Sequence, residues 1–281
     1  MEFIEQDNNR KGTALITGAT GGLGKAFAVE CASRGWDLFL TDRSQASLDV
    51  LACGLHNAYG VNVSTYACDL TDPTMCNALF NRLRAESARL SALINVAGTD
   101  YEGLFYDQTC QQIQTIIRLN VETTMAMMHE ILPFRDQRLT FRIINVSSMA
   151  AFYPMPVKAT YAASKRFLLD FSLALREEVR ELGITVTALC PAGMPTNKSC
   201  IDAIEAQGLA GLITTLDAGR VATQTLDAAL AGKAVFIPGW VNRVVYTLSS
   251  LLPPALIAAI IHSRWTAVHH KQERLDSLHV A

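Results

Sequence analysis

Tyr161 and Lys165, four residues apart in the stretch YAASK (161–165), are the pair in this chain best suited to proton chemistry. A spacing of four puts two side chains one turn apart on the same helix face. The apolar stripe that follows, Leu168, Phe171, Leu175, Val179 and Leu182, runs back at the same period through Lys165 and Tyr161, while Arg166, Asp170, Glu177 and Glu181 fall opposite. Lys165 therefore stands where an ordinary solvated lysine does not belong. A free phenol has a pKa near ~10 and is a poor base at neutral pH, and a nearby cation favours its ionised form. At ~4 Å and an effective dielectric of ~20 the attraction is about 4 kcal/mol, an upper bound of roughly three pK units. That brings a tyrosine into the range of proton exchange near neutrality. The plain alternative is a lysine snorkelling from a helix end beside a polar-tipped core tyrosine.

The elements that must position this pair alternate along the chain. Strand-length apolar runs lie at 13–17, 36–41, 61–67, 91–97, 141–147, 184–190 and 234–238, with helix-length segments such as 22–34, 73–89, 108–132 and 160–182 between them. Several runs are apolar nearly throughout, as strands covered on two faces are. The pattern predicts an α/β fold, a doubly wound parallel sheet of about seven strands with helices on both faces. The first strand leads at once into TGATGGLG (17–24), where glycines allow a tight turn and bring backbone N–H groups to a pyrophosphate at a helix N-terminus. The second strand ends in Asp42-Arg43: an acid there binds ribose hydroxyls and repels a 2′-phosphate, and an arginine does the reverse. Asp42 takes the strand end, which puts NAD first and NADP second. Strands four and five end in NVAG (95–98) and NVSS (145–148), on the rim where ligands of open α/β sheets bind.

With 281 residues, 50% of them hydrophobic and a formal net charge of −2, the chain is long enough for one large core and carries no basic block for nucleic acid. The reading is a polar extension over 1–11, a Rossmann-type domain over 12–238 and a C-terminal apolar helical extension over 239–281. Residues 1–11 lack the basic-then-apolar layout of a secretory signal, and the seven scattered cysteines form no metal-ligand spacing. The expectation is a reduced, cytoplasmic protein with no metal.

Taken together, TGATGGLG (17–24), CDL (68–70), NVAG (95–98), Asn120 in RLNVET, Ser148, the YAASK pair and PAGMPT (191–196) resemble the short-chain dehydrogenase/reductase family in its compact, single-domain branch, near the hydroxysteroid dehydrogenases and ketoacyl reductases. The resemblance covers roughly residues 12–238. It implies that Tyr161 is the general acid/base, that Lys165 lowers its pKa and holds the nicotinamide ribose, that Ser148 hydrogen-bonds the carbonyl, and that Asn120 anchors a proton-relay water. It implies a cofactor site of Thr17, Gly18, Thr20, Gly22, Leu23, Gly24, Asp42, Arg43, Asp69, Leu70, Asn95, Ala97, Gly98, Pro191, Gly193 and Thr196, with Asp69 at the adenine and Thr196 at the carboxamide. It also implies a homodimer or homotetramer. Two positions depart from the family pattern: Pro191-Ala192 replaces Pro-Gly, and NVAG replaces NNAG. A catalytically idle cofactor-sensing or scaffold protein on the same fold is the competing reading.

Met149, Phe152, Tyr153, Met155 and Met194 are the expected substrate lining, with 197–215 as a lid, and suit a lipophilic ketone or secondary alcohol of steroid, retinoid or acyl type. Between Arg243 and His262 the chain runs eighteen residues without a charge, broken by Pro253-Pro254. Two short helices joined at the prolines are expected there rather than one membrane span. They would cap the substrate pocket, pack against a subunit, or make a peripheral membrane contact through 240–262.

Overall fold

The computed structural model of the chain describes residues 12–195 and 214–263. Seven strands form one sheet: β1 (Thr13–Thr17), β2 (Asp37–Asp42), β3 (Val63–Ala67), β4 (Leu90–Asn95), β5 (Phe141–Val146), β6 (Ile184–Leu189) and β7 (Val235–Phe236). All pairings are parallel and the order is β3-β2-β1-β4-β5-β6-β7. The chain winds outward from β1 in one direction and, from β4, in the other. The reversal opens a crevice beyond the carboxyl ends of β1 and β4.

The helices are α1 (Gly22–Ser33), α2 (Gln45–Tyr59), α3 (Pro73–Ala85), α4 (Cys110–Ile117), α5 (Thr124–Ile131), α6 (Ala159–Glu178), α7 (Ala218–Leu230), α8 (Trp240–Ser249) and α9 (Pro254–Ser263). The two-residue period of the strands divides the core between the faces. Ala14, Ile16, Leu38, Leu40, Ala92, Ile94 and Ile144 point to α1, α2 and α7, meeting Phe27, Leu48 and Leu226. Leu15, Phe39, Leu93, Ile143 and Val186 point the other way, to Leu79 and Leu83 of α3, Met127 and Ile131 of α5 and Leu168 of α6. Strands β1, β4, β5 and β6 are therefore buried at consecutive positions, which is why their runs read as nearly continuous.

Two expectations are corrected. The segment 108–132 is not one helix: a π-helical turn at Arg118–Thr123 separates α4 from α5 and carries the buried Asn120. The stripe on α6 does not reach Leu182, because the helix ends at Glu178, a 3₁₀ turn follows, and Gly183 adopts φ +71°. Leu182 is 55% exposed.

At the rim, Thr17, Asn95 and Asn145 stand in register on β1, β4 and β5. Asn95 Nδ2 donates to Asn145 Oδ1 (2.9 Å), and Asn145 Nδ2 donates to Ser172 Oγ on α6 (2.9 Å). This buried chain of amides ties the strand ends to the helix that carries the YAASK pair. Asn145→Ala would leave the Asn95 amide without its partner and take from Ser172 one of two bonds, its donation to the Leu168 carbonyl remaining, at a cost of about 1–3 kcal/mol. Urea unfolding should show that loss in the midpoint with an unchanged slope.

Candidate active site

The glycine loop is built for close approach. Gly18 has φ +64°, and a Cβ there would lie 2.9 Å from the Ala97 backbone; at Gly24 it would lie 2.0 Å from the Gly18 carbonyl. Thr17 Oγ1 accepts from the N–H groups of Val96 and Ala97 (3.1 and 3.2 Å), binding this loop to the one after β4. The starts of α2, α3 and α7 are capped by the side chains of Ser44, Asp72 and Asp217, whereas α1 begins at Gly21-Gly22 with no side-chain cap and no acid in its first turn. The free N–H groups and the bare backbone fit a pyrophosphate. Leu23 is a core residue packed among the α1 face.

The adenosine side holds a finding that the spacing did not show. Asp42 Oδ2 accepts from both Thr20 N (2.9 Å) and Thr20 Oγ1 (2.7 Å), and Oδ1 accepts from Arg43 N (2.7 Å). The carboxylate is thus turned into the glycine loop, while Arg43 is exposed beyond it. Asp69 Oδ1 accepts from Thr71 Oγ1 and N (2.7 and 2.9 Å), bonds that lower its pKa, with Arg43 adding to the effect. Leu70 is buried and its carbonyl accepts from Thr123 Oγ1 (2.6 Å) on the π turn. Asn95 is turned to Asn145, and its Oδ1 has no hydrogen-bond partner.

Tyr161 and Lys165 share the first turns of α6, and Lys165 Nζ stands 5.7 Å from the centre of the tyrosine ring. Lys165 is 4% exposed, and its ammonium donates to the Val146 carbonyl at the end of β5 (2.8 Å). Ser147 Oγ donates to the Lys165 carbonyl (2.8 Å), fixing the helix against the same strand end. Gly98 leaves room for the ammonium, since a Cβ there would lie 3.2 Å from Lys165 Nζ and 3.1 Å from Asn120 Oδ1. Ser148 opens the turn Met149–Phe152, and its Oγ accepts from Ala150 N (3.1 Å). Asn120 is fully committed: Oδ1 accepts from Thr99 N (2.9 Å), and Nδ2 donates to Thr99 O and Ser164 Oγ (3.0 Å each). Its side chain braces the loop after β4 against α6. Pro191 O accepts from Met149 N (2.9 Å), so the PAGMPT stretch begins beside Ser148. Gly193 is exposed, and Thr196 lies outside the described residues, as does the lid segment up to 213.

Of the residues expected to line a substrate, Met149 and Phe152 pack on a small cluster of Ala151, Leu169, Cys190 and Ile237. Tyr246 of α8 lies against Phe152 with its ring tilted by 48° and ring centres 4.3 Å apart, and Ser249 Oγ donates to the Tyr153 phenol oxygen (2.8 Å). Met155 is half-buried in the turn that leads to α6. Met194 packs instead against the core on the α1 face. No single helix among the described residues is long and apolar enough to cross a membrane; α8 and α9 form a pair bent by 120° at the prolines.

Sequence reasoning missed Ser164, Ser147 and Lys158. Ser164 and Ser147 flank motif residues but read as filler until the bonds to Asn120 and the Lys165 carbonyl are seen. Among the described residues, no group of His, Cys, Asp and Glu is placed to hold a metal.

Burial pulls the Lys165 ammonium from 10.5 down to about 8, with Asp100 acting the other way. Between those two values the unfolded chain holds more protons than the native one, so native stability rises with pH there and is flat below it. The cofactor-free protein should gain up to about 3 kcal/mol from this group between pH 8 and 10.5. Lys165→Met should lack that rise in urea titrations run across the same range.

The family described as short chain dehydrogenase matches over residues 12–200. The chain is 36% identical over 180 residues to the very-long-chain 3-oxoacyl-CoA reductase of Laccaria bicolor, covering 63% of this chain and 53% of that protein. It spans about half the length of that relative. A short-chain dehydrogenase from Sphingobium yanoikuyae, solved in complex with NADPH, is similar over 95% of both chains with 30% identity and a TM-score of 0.71. The bulky-bulky ketone specific alcohol dehydrogenase from Comamonas testosteroni matches with 27% identity and a TM-score of 0.70, over 87% of this chain and 96% of its own. The glycine cradle, the buried lysine beside its tyrosine and these likenesses agree: the chain belongs to the short-chain dehydrogenase family, enzymes that exchange a hydride between a nicotinamide cofactor and a carbonyl or alcohol carbon.

Proposed function

We propose that this chain reduces a lipophilic ketone, in the manner of a 3-oxoacyl thioester or a similarly bulky substrate, and that NADP(H) is its preferred cofactor. The observation that carries the reading is the placement of Tyr161, Lys165 and Ser148 at one rim, beside the glycine cradle. When bound, the nicotinamide supplies the hydride. Ser148 Oγ is held by Ala150 N, which leaves its hydroxyl proton for the substrate oxygen. Tyr161 gives its phenolic proton to that oxygen as negative charge develops. The Lys165 ammonium, kept out of water beside the ring, favours the phenolate that remains. Asn120 holds Thr99 and Ser164 in place around them.

An apolar substrate is supported by the side chains around Ser148 and by the seat of α8 on Phe152 and Tyr153. The α8–α9 pair also exposes Trp240, Leu248 and Leu251, by 72%, 63% and 79%, next to that side, which suits a lipid or protein contact there. Relatives named as very-long-chain 3-oxoacyl-CoA reductases favour an acyl chain over a steroid or retinoid. Positioned general acids contribute about 10²–10⁴ in rate. Tyr161→Phe should therefore lose about that factor in NADPH oxidation assays with 3-oxoacyl-CoA esters or bulky ketones, while cofactor affinity stays within about twofold. Near-wild-type turnover in that variant would overturn the assignment.

The sequence put NAD first on the strength of Asp42. The inward turn of that carboxylate onto Thr20 engages the oxygen that would read a ribose hydroxyl and lessens the repulsion it would offer a 2′-phosphate, and Arg43 follows it at the surface. An arginine–phosphate contact is worth about 1.5–3 kcal/mol, roughly 10- to 100-fold in affinity. Calorimetry should find NADPH bound more tightly than NADH, with Arg43→Ala weakening NADPH alone. Tighter NADH binding by the wild type would restore Asp42 as the ribose reader.

A further inference from the structure

Lys158 comes three residues before Tyr161. Its ammonium stands 5.8 Å from the centre of the tyrosine ring, against 5.7 Å for Lys165, so the ring has two cations near it. Lys158 is ion-paired to Asp100 (2.5 Å) and Glu102 (3.1 Å), and its side chain is 17% exposed. Both acids lie on the loop that leaves Gly98. The backbone holds this arrangement under strain: Val157, a β-branched residue, has φ +62°, and its carbonyl accepts from Gly103 N (2.9 Å). Such a conformation in valine persists only where its surroundings enforce it, and it gathers at functional sites.

We propose that Lys158 is a positioning residue for the reaction: clasped by Asp100 and Glu102, it ties the loop after β4 to the start of α6 and, together with Lys165, offsets the effect of those two carboxylates on the Tyr161 phenol. This rests on the reading of Tyr161 as the proton donor. The two ammonium groups beside the ring are those of Lys158, just before α6, and Lys165 on it, and the carboxylates of Asp100 and Glu102 stand against the first of them. Cys190, at the end of β6, is neutral because burial pushes its thiol up to about 12. Tyr153 is likewise kept neutral by burial. Lys158 keeps its proton, since Asp100 and Glu102 outweigh the burial that works against its charge. These four charges sum to zero. Without Lys158 the set carries one net negative charge, which disfavours the phenolate; without Glu102 it carries one net positive charge, which favours it.

The test is the pH profile of kcat/KM for alcohol oxidation, where activity rises as the phenol ionises. Wild type, Lys158→Met, Lys158→Arg, Glu102→Gln and Tyr161→Phe are compared, with folding checked by thermal melts. Lys158→Met should move the rising limb up by about half to one pH unit, and Glu102→Gln should move it down. Lys158→Arg should return it close to wild type, and both shifts should shrink in ~1 M salt. If Lys158→Met does not fold, the downward move in Glu102→Gln decides the matter alone. An unmoved limb in the folded variants, even with reduced rate, would make the cluster a structural brace and overturn the proposal. A change confined to KM for acyl-CoA substrates would make Lys158 a substrate contact and overturn it equally. Turnover surviving in Tyr161→Phe would sink the reading of the tyrosine instead, an outcome separate from both.

Discussion

A lysine ammonium held out of water beside a phenol is the constraint around which this site is arranged. Removing such a charge from solvent costs several kcal/mol unless nearby groups compensate. The sheet meets part of that need with a carbonyl at the very end of β5, where the parallel ladder runs out and Val146 O is turned toward Lys165 Nζ. Ser147 clamps the helix backbone to the same strand end, so the ammonium cannot swing away. Gly98 has no Cβ because one would press on both Lys165 and Asn120. The lysine dictates its neighbours.

The same logic explains why the rim is polar inside. Thr17, Asn95, Asn145 and Ser172 are all buried, and each is bonded across an element boundary. A core of apolar residues alone would let strand ends and α6 slide by small amounts at little cost. Directional bonds between amides and hydroxyls penalise such slips, since each buried donor left unpaired is expensive. Stability in the layers below comes from apolar packing, and the rim adds register.

Much of this was legible in the sequence because it rests on residue type and period. Continuous apolar runs meant strands covered twice, the first glycine run meant a close backbone approach, and a stripe passing through Lys165 meant a buried lysine. What escaped depends on which way a side chain turns. Asp42 looks the same in sequence whether it faces a ribose or Thr20, and only the loop's conformation decides. The π turn around Asn120 lies within a helical pattern, and nothing in RLNVET signals it. Val157 would be judged a poor candidate for positive φ, so the approach of Lys158 to Asp100 and Glu102 was invisible. The two-helix tail was readable from Pro253-Pro254, but its seat on Phe152 and Tyr153 joins residues nearly a hundred positions apart.

That seat has an evolutionary consequence. On the function proposed above, proton transfer is organised by β5, α6 and the loop after β4, whereas α8, among the described residues, meets the turn after Ser148 through a tilted aromatic pair and one hydroxyl pair. Admission and chemistry are thus encoded in separable stretches of chain. Drift in the tail can retune which molecules are accepted while the acid, its cation and their sheet stay untouched, so two chains alike through α6 can diverge in diet without diverging in reaction.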